Sequence, residues 1–243
     1  MIKKLKLILF IIFYLYQTSA YTKATEEKDF NPKYLSSYLS AIILKNNQNI
    51  EDSVKHFNSS KVLINKHEEY LKNYIITLTV NNEVQKAIKV IKQNKNKNNS
   101  KFFEAKLLLL IESFKKKNFI KNIELLSELE EYRDYDNYHF IIYEVLKSYN
   151  ELFLTRKLNT NKQNFGKLSL INEAFQYCYL SQAETDSRFQ NLINSKEGDY
   201  TRYLFFYLNN LVEKKDFKSA IELSKEINTL NSNLLIQQSK KWI

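Results

Sequence analysis

From Tyr34 onward the chain alternates short apolar stripes with polar breaks. The apolar residues fall at steps of three and four, the spacing of one face of an α-helix. Tyr34, Leu35, Tyr38, Leu39, Ile42 and Ile43 form the first stripe, and Asn46 to Asn49 break it. Ile50, Val54, Phe57 and Val62 form the next. Leu71, Tyr74, Ile75 and Leu78 end at Asn81-Asn82, and Val84, Ala87, Ile88 and Ile91 follow. Phe103, Leu107, Leu110, Ile111 and Phe114 then lead through Lys115-Lys116-Lys117-Asn118 into Phe119, Ile123, Leu126 and Leu129. The pattern predicts three helical hairpins in a row.

Beyond them the spacing changes. Phe140 to Leu154 reads as a long apolar-rich helix, Thr155 to Gly166 as a polar loop and Leu168 to Leu180 as a second helix, with Phe189, Leu192 and Ile193 marking a short third. This stretch is either a degenerate unit carrying an insertion or the packing partner that closes off the first three. A late segment, Lys214-Lys215-Asp216-Phe217-Lys218-Ser219-Ala220-Ile221, nearly repeats Lys116-Lys117-Asn118-Phe119-Ile120-Lys121-Asn122-Ile123, 98 residues earlier. Ser53, Ala87 and Asn122 hold the same place in their second helices, 34 and 35 residues apart. Self-similarity at that period indicates stacked repeats.

On these residues the chain resembles the tetratricopeptide repeat family, stacked 34-residue helix-turn-helix units. Phe119 and Phe217 match the aromatic after the turn, Ser53, Ala87 and Ala220 the small residue early in the second helix, Phe57, Ile91 and Leu126 the large apolar residue one turn later, and Ala41 the small residue of the first helix. The family's closing proline is missing, with Asn65 in its place in the first unit, and its turn glycine is replaced by Asn or Lys. The resemblance implies an all-α fold, an α-solenoid of antiparallel hairpins. It divides the chain into an N-terminal linker (21–33), three hairpins (34–131), a divergent helical segment (132–198), and a last hairpin with a C-terminal capping segment (199–243).

The resemblance also implies a concave face, lined by first helices, that binds a protein or peptide. Carried over unit by unit, that groove holds Tyr38, Ile42 and Lys45, then Lys72 and Ile76, then Leu107, Ile111 and Phe114, with Arg202, Phe205 and Asn209 in the last unit. Family members that clamp a C-terminal carboxylate use a specific Lys and Asn set, which Lys72 and Asn73 alone match too thinly to assign that activity. The expected function is that of a non-catalytic adaptor or assembly factor. The alternative is an accessory protein that binds a cell-envelope polysaccharide or peptidoglycan.

Composition agrees with helices. Only two glycines and one proline occur in 243 residues, where average usage gives about 29 of the two together. Gly-rich phosphate loops, dinucleotide fingerprints and β-sandwich turns are thereby excluded. The first twenty residues, MIKKLKLILFIIFYLYQTSA, read as a secretory signal peptide: three lysines, an apolar run from Leu7 to Tyr16, and small residues Thr18 and Ala20 before a cut. That run is about half the roughly 20 residues a membrane span needs. The expectation is export to a bacterial periplasm or envelope, with no integral span after cleavage. Removing residues 1–20 lowers the formal charge from +10 to +7, leaving 34 basic against 27 acidic groups.

Candidate chemistry is sparse, and no cofactor or metal is expected. His56, His67 and His139 show no ligand spacing, and Asn65 should end the helix that would align the first two. Glu128, Glu130, Glu131, Asp134 and Asp136 read as a solvated turn, and the lysines between Lys89 and Lys101 as an inter-helix loop without the interleaved aromatics of a nucleic-acid surface. The lone Cys178 falls in the apolar set of Leu168, Ile171 and Phe175 and reads as a core residue.

Overall fold

A computed structural model describes residues 31–95, 98–159, 163–194 and 201–229, with Asn98, Thr201, Arg202 and 226–229 described by backbone alone. The expected signal segment, most of the expected linker and the expected capping segment beyond residue 229 lie outside the described residues. Among the described residues the fold is all-α, with eleven α-helices and no strand. They are α1 (Pro32–Asn46), α2 (Ile50–Ser59), α3 (Glu68–Val80), α4 (Val84–Gln93), α5 (Phe103–Lys115), α6 (Phe119–Glu130), α7 (Asn137–Thr155), α8 (Lys167–Tyr179), α9 (Thr185–Asn194), α10 (Thr201–Glu213) and α11 (Phe217–Thr229). The chain forms two compact units that divide between Ala105 and Lys106, within α5.

One turn recurs five times. Gln48, Asn82, Lys117, Ser181 and Lys215 each adopt a left-handed backbone with φ between 53° and 62°. The next residue's N–H reaches back across that turn: Asn49 to the Leu44 carbonyl (2.9 Å), Glu83 to Leu78 (2.8 Å), Asn118 to Ser113 (3.1 Å), Gln182 to Tyr177 (3.1 Å) and Asp216 to Leu211 (3.0 Å). The left-handed residue bonds inside that loop, as in Gln48 N–H to Lys45 (3.1 Å) and Lys215 N–H to Val212 (3.0 Å). These paired bonds are a Schellman closure, which satisfies the carbonyls left over at a helix end. At three of the turns the following residue then starts the next helix: Asn49, Asn118 and Asp216 accept side-chain hydrogen bonds from the N–H groups of Asp52, Lys121 and Ser219. Two residues thus end one helix and cap another.

In the first unit α1 packs on α2, α2 on α3 and α3 on α4. Pro32 opens α1 at a position that needs no N–H, and Asn31 caps it by accepting from Lys33 N–H at 2.9 Å. Fully buried Ala41 and Ser53 meet where α1 and α2 approach, and the Ser53 hydroxyl donates to the Ala41 carbonyl at 2.7 Å. Aromatic rings fill the space towards α3: Phe57 lies 5.5 Å from Tyr70 and 5.6 Å from Tyr74, and the Tyr70 hydroxyl donates to the Phe57 carbonyl. Ala87 and Ile91 bury α4 against this core.

The second unit carries the same joints. Phe114 and Phe119 face each other at 6.3 Å across the α5–α6 turn, and Phe153 of α7 covers Phe119 at 4.9 Å. The place held by Ser53 and Ala87 is taken by buried Asn122, whose amide donates to Asn150 of α7 at 3.0 Å. Residues 132–198 contain more than divergent helix: α8 and α9 form a hairpin with the recurrent turn, 34 residues ahead of the turn at Lys215. Its core continues into α10 and α11 through Ala174, Phe189, Leu192, Leu208 and Ala220, with Phe189 stacked on Tyr207 at 4.8 Å.

Of the residues assigned to packing, Ala41, Ser53, Phe57, Ala87, Ile91, Leu126 and Ala220 are buried and Phe119 is half-buried. Phe217 is a correction, since it stands 57% exposed at the start of α11. Its counterpart Phe119 is covered by a ring from the following helix, and no described helix follows α11.

Two outcomes follow from the joints and the core. A left-handed conformation strains Lys and is free for Gly, so Lys117→Gly and Lys215→Gly should each raise stability by about 0.5–1 kcal/mol in urea unfolding; a loss of stability would remove the turn from its place in the fold. Ala87→Asp and Ala220→Asp should each cost well over the roughly 1 kcal/mol of an average substitution, because an unpaired carboxylate would enter a closed helix contact. Unchanged melting of both would contradict the packing described.

Candidate functional site

In the first unit the expected groove residues separate by depth. Tyr38 is a correction: it is 5% exposed, with its ring 5.3 Å from Tyr70 and 4.6 Å from His67, so it joins the aromatic core. The arrival of α3 beside α1 turns that face inward. Ile42 and Ile76 remain half-buried. Lys45 donates to the Asn73 side chain at 2.6 Å, and Asn73 donates to the Glu69 carbonyl at 3.0 Å. Lys72 lies 3.7 Å from Glu104. Lys72 and Asn73 therefore answer to different partners. Leu39 and Ile43 stand 51% and 60% exposed on α1, one helical turn apart.

In the second unit Leu107 is half-buried and Ile111 is 48% exposed, on the same face of α5. Phe114 is half-buried, with its ring 6.3 Å from Phe119 and 6.1 Å from Phe153. Phe205 and Asn209 are half-buried on α10, and the Arg202 side chain lies outside the described residues.

A feature with no signal in the apolar stripes lies between α7, the following loop and α8. It is a cleft of about 810 Å³ lined by Glu144, Val145, Lys147, Ser148 and Glu151 of α7, by Asn159, Gln163, Asn164 and Phe165, and by Ser169, Asn172, Glu173 and Gln176 of α8. Two bonds tie its floor: the Tyr149 hydroxyl donates to Asn172 at 3.3 Å, and the Gln176 amide donates to the Ser148 hydroxyl at 3.1 Å. The loop enters α8 through Gly166, whose φ of 60° and ψ of −127° suit glycine alone. In sequence the lining residues are ordinary polar positions at i, i+4 and i+7 of two helices. Only the helix pair makes them one surface.

The remaining candidate chemistry is tied down locally. His56 contacts the Ser37 hydroxyl at 3.5 Å, His67 lies tilted against the Tyr38 ring, and His139 pairs with Asp136 at 2.8 Å. Helix α2 ends at Ser59, so His56 and His67 share no helix. In the acidic cluster Glu128 pairs with Lys106, and Asp136 caps α7 by accepting from His139 N–H at 2.9 Å, which holds its carboxyl below the usual range. Glu130, Glu131 and Asp134 are exposed. Cys178 is half-buried against the α8–α11 core, and burial pushes its thiol pKa up. Compared with protein families, curated proteins and solved structures, the chain matches none.

Burial also acts on the tyrosines. It pushes Tyr74 and Tyr149 up to about 12 from an ordinary phenol value of 10.0. Folded chains thus keep a proton that unfolded chains release above pH 10. Stability is fully present below about pH 10 and falls as pH rises towards 12. The melting temperature should drop across that window, and Tyr149→Phe should flatten the drop; an equal drop in the variant would deny the burial of that phenol.

Proposed function

We propose that this chain is a divergent tetratricopeptide-type protein, exported to the cell envelope, in which the first helices of the hairpins bind a polypeptide partner as an adaptor or assembly factor. The observation that carries this reading is the recurrence of one turn at Gln48, Asn82, Lys117, Ser181 and Lys215. A repeated joint sets its flanking helices at a repeated angle, and stacked units of this kind build binding surfaces from side chains that packing does not consume.

The side chains left over have a consistent chemistry. In the first unit they are Ile42 and Ile76 with Lys45 and Lys72; in the second they are Leu107 and Ile111 on α5 and Phe205 on α10. Partly exposed apolar groups, with Lys45 and Lys72 on the same helices of the first unit, suit a polypeptide that offers apolar side chains and carboxylates. Export rests on residues 1–20, whose charged start, apolar run and small residues have the layout of a signal segment.

The test is cross-linking of the full chain in extracts of its own envelope, with capture and mass spectrometry. One defined protein should be recovered by the parent and lost by the triple variant Lys45→Glu, Lys72→Glu, Ile111→Ser at unchanged helicity. Equal recovery by both chains would place the contact elsewhere.

A further inference from the structure

The polar cleft of the second unit has a chemistry of its own. Its volume of about 810 Å³ falls in the range of small-molecule sites, roughly 300–1,000 Å³, but such sites are lined mostly by apolar side chains. Here the apolar lining is Val145 and Phe165 alone, and the rest is carboxylate, amide, hydroxyl and one ammonium. A ligand that fits must bring hydrogen-bonding groups on most of its surface.

Charge narrows the choice. Three carboxylates would suit a polyamine or a basic peptide if they were unopposed. Glu144 instead meets Arg133 at 2.9 Å and Glu173 meets Arg188 at 3.1 Å, which leaves Glu151 offset by Lys147. Among the described residues the charges of the lining and its ion-pair partners balance. Among these residues a phosphate or other anion finds no cation in excess, and a polyamine finds no excess of carboxylate. An extended peptide would require apolar pockets for alternate side chains, and the walls offer two apolar residues.

What remains is an uncharged ligand rich in hydroxyls. The planar amide of Asn172, which accepts from Tyr149 through its oxygen, has its NH2 to donate. The Glu151 carboxylate accepts from Asn159 at 2.7 Å through one oxygen and has a second to accept. Adjacent hydroxyls of a sugar ring match the two-atom edges of such planar groups. Phe165 supplies a flat ring, held edge to face against Phe140 at 6.1 Å and anchored by its N–H donating to the Ser169 hydroxyl at 2.8 Å. The electron-rich face of an aromatic ring attracts the polarised C–H groups of a sugar's less polar face.

We propose that the cleft between α7 and α8 is a binding site for a neutral oligosaccharide, with Phe165 as the stacking platform and Glu151 and Asn172 as hydroxyl partners. The inference shares no residue with the polypeptide-binding faces and stands or falls apart from them.

Calorimetric titration of the full chain with cellotetraose, maltotetraose and chitotetraose, and with spermine and a lysine-rich decapeptide as cationic controls, tests it. At least one tetrasaccharide should bind, with affinity insensitive to added salt. Phe165→Ala and the near-isosteric Glu151→Gln should each weaken it about tenfold or more at unchanged melting temperature. Three results would overturn the proposal: no tetrasaccharide binding at millimolar concentration, binding that both variants retain in full, or tighter binding of either cationic control. Should Phe165→Ala unfold, Glu151→Gln decides alone.

Discussion

Everything in this fold hangs from a two-residue joint. A left-handed residue closes the carbonyl end of one helix, and at four of the five joints the residue after it opens the next, so the chain reverses without any extended loop. Glycine is the natural occupant of the first position because other side chains crowd the following carbonyl. Gln48, Lys117, Ser181 and Lys215 occupy it regardless. The strain is of order 1–3 kcal/mol at each site. It persists because both helices beyond the joint are fixed by burial, with Ala41 against Ser53 in one hairpin and Ala220 sunk among α10 residues in another. Packing overrides propensity here, and a chain with only two glycines still turns sharply five times among its described residues.

The small residue after each joint then decides what the next helix does. Ser53 spends its hydroxyl on a carbonyl of the preceding helix, and Ala87 and Ala220 offer no polar group at all. Asn122 differs, because its amide reaches forward to Asn150 and ties α6 to α7. A buried amide pair is more selective than an apolar contact, since each group left unmatched would cost about 1–3 kcal/mol. That bond accompanies the departure of the chain from its period: α7 runs 19 residues to Thr155, is capped by left-handed Arg156, and hands over to the loop that leads into α8. The cleft lies where this departure occurs.

The helices and four of the five hairpins were legible in the sequence because their signal is local: apolar spacing, polar breaks and a small residue at a fixed distance from the break. The α8–α9 hairpin was not, because the long α7 and the loop after it interrupt the period and Thr185, rather than Ala or Ser, is the buried residue that follows the turn. Tyr38 and Phe114 look like surface residues of a first helix when each helix is read alone. Rings from other helices, Tyr70 in one unit and Phe153 in the other, turn Tyr38 into core and cover part of Phe114. Depth on a helix with two apolar edges is a property of its neighbours.

The cleft was illegible for a deeper reason. Its residues carry no spacing beyond that of any polar helix face, and its neutrality depends on Arg133 and Arg188, which lie outside the lining. Counted by sequence, Glu144, Glu151 and Glu173 suggest an acidic patch. Counted with Arg133, Arg188 and the lining Lys147, the described residues form a nearly uncharged array of acceptors beside amide donors. The same geometry has a consequence for its stability: each arginine that neutralises a wall carboxylate also lies over an aromatic ring, Arg133 over Phe140 at 5.1 Å and Arg188 over Tyr177 at 4.8 Å. The guanidinium groups are thereby held by two kinds of contact, so the neutralisation of Glu144 and Glu173 is built into the packing around α7, α8 and α9 and does not depend on a ligand to assemble it.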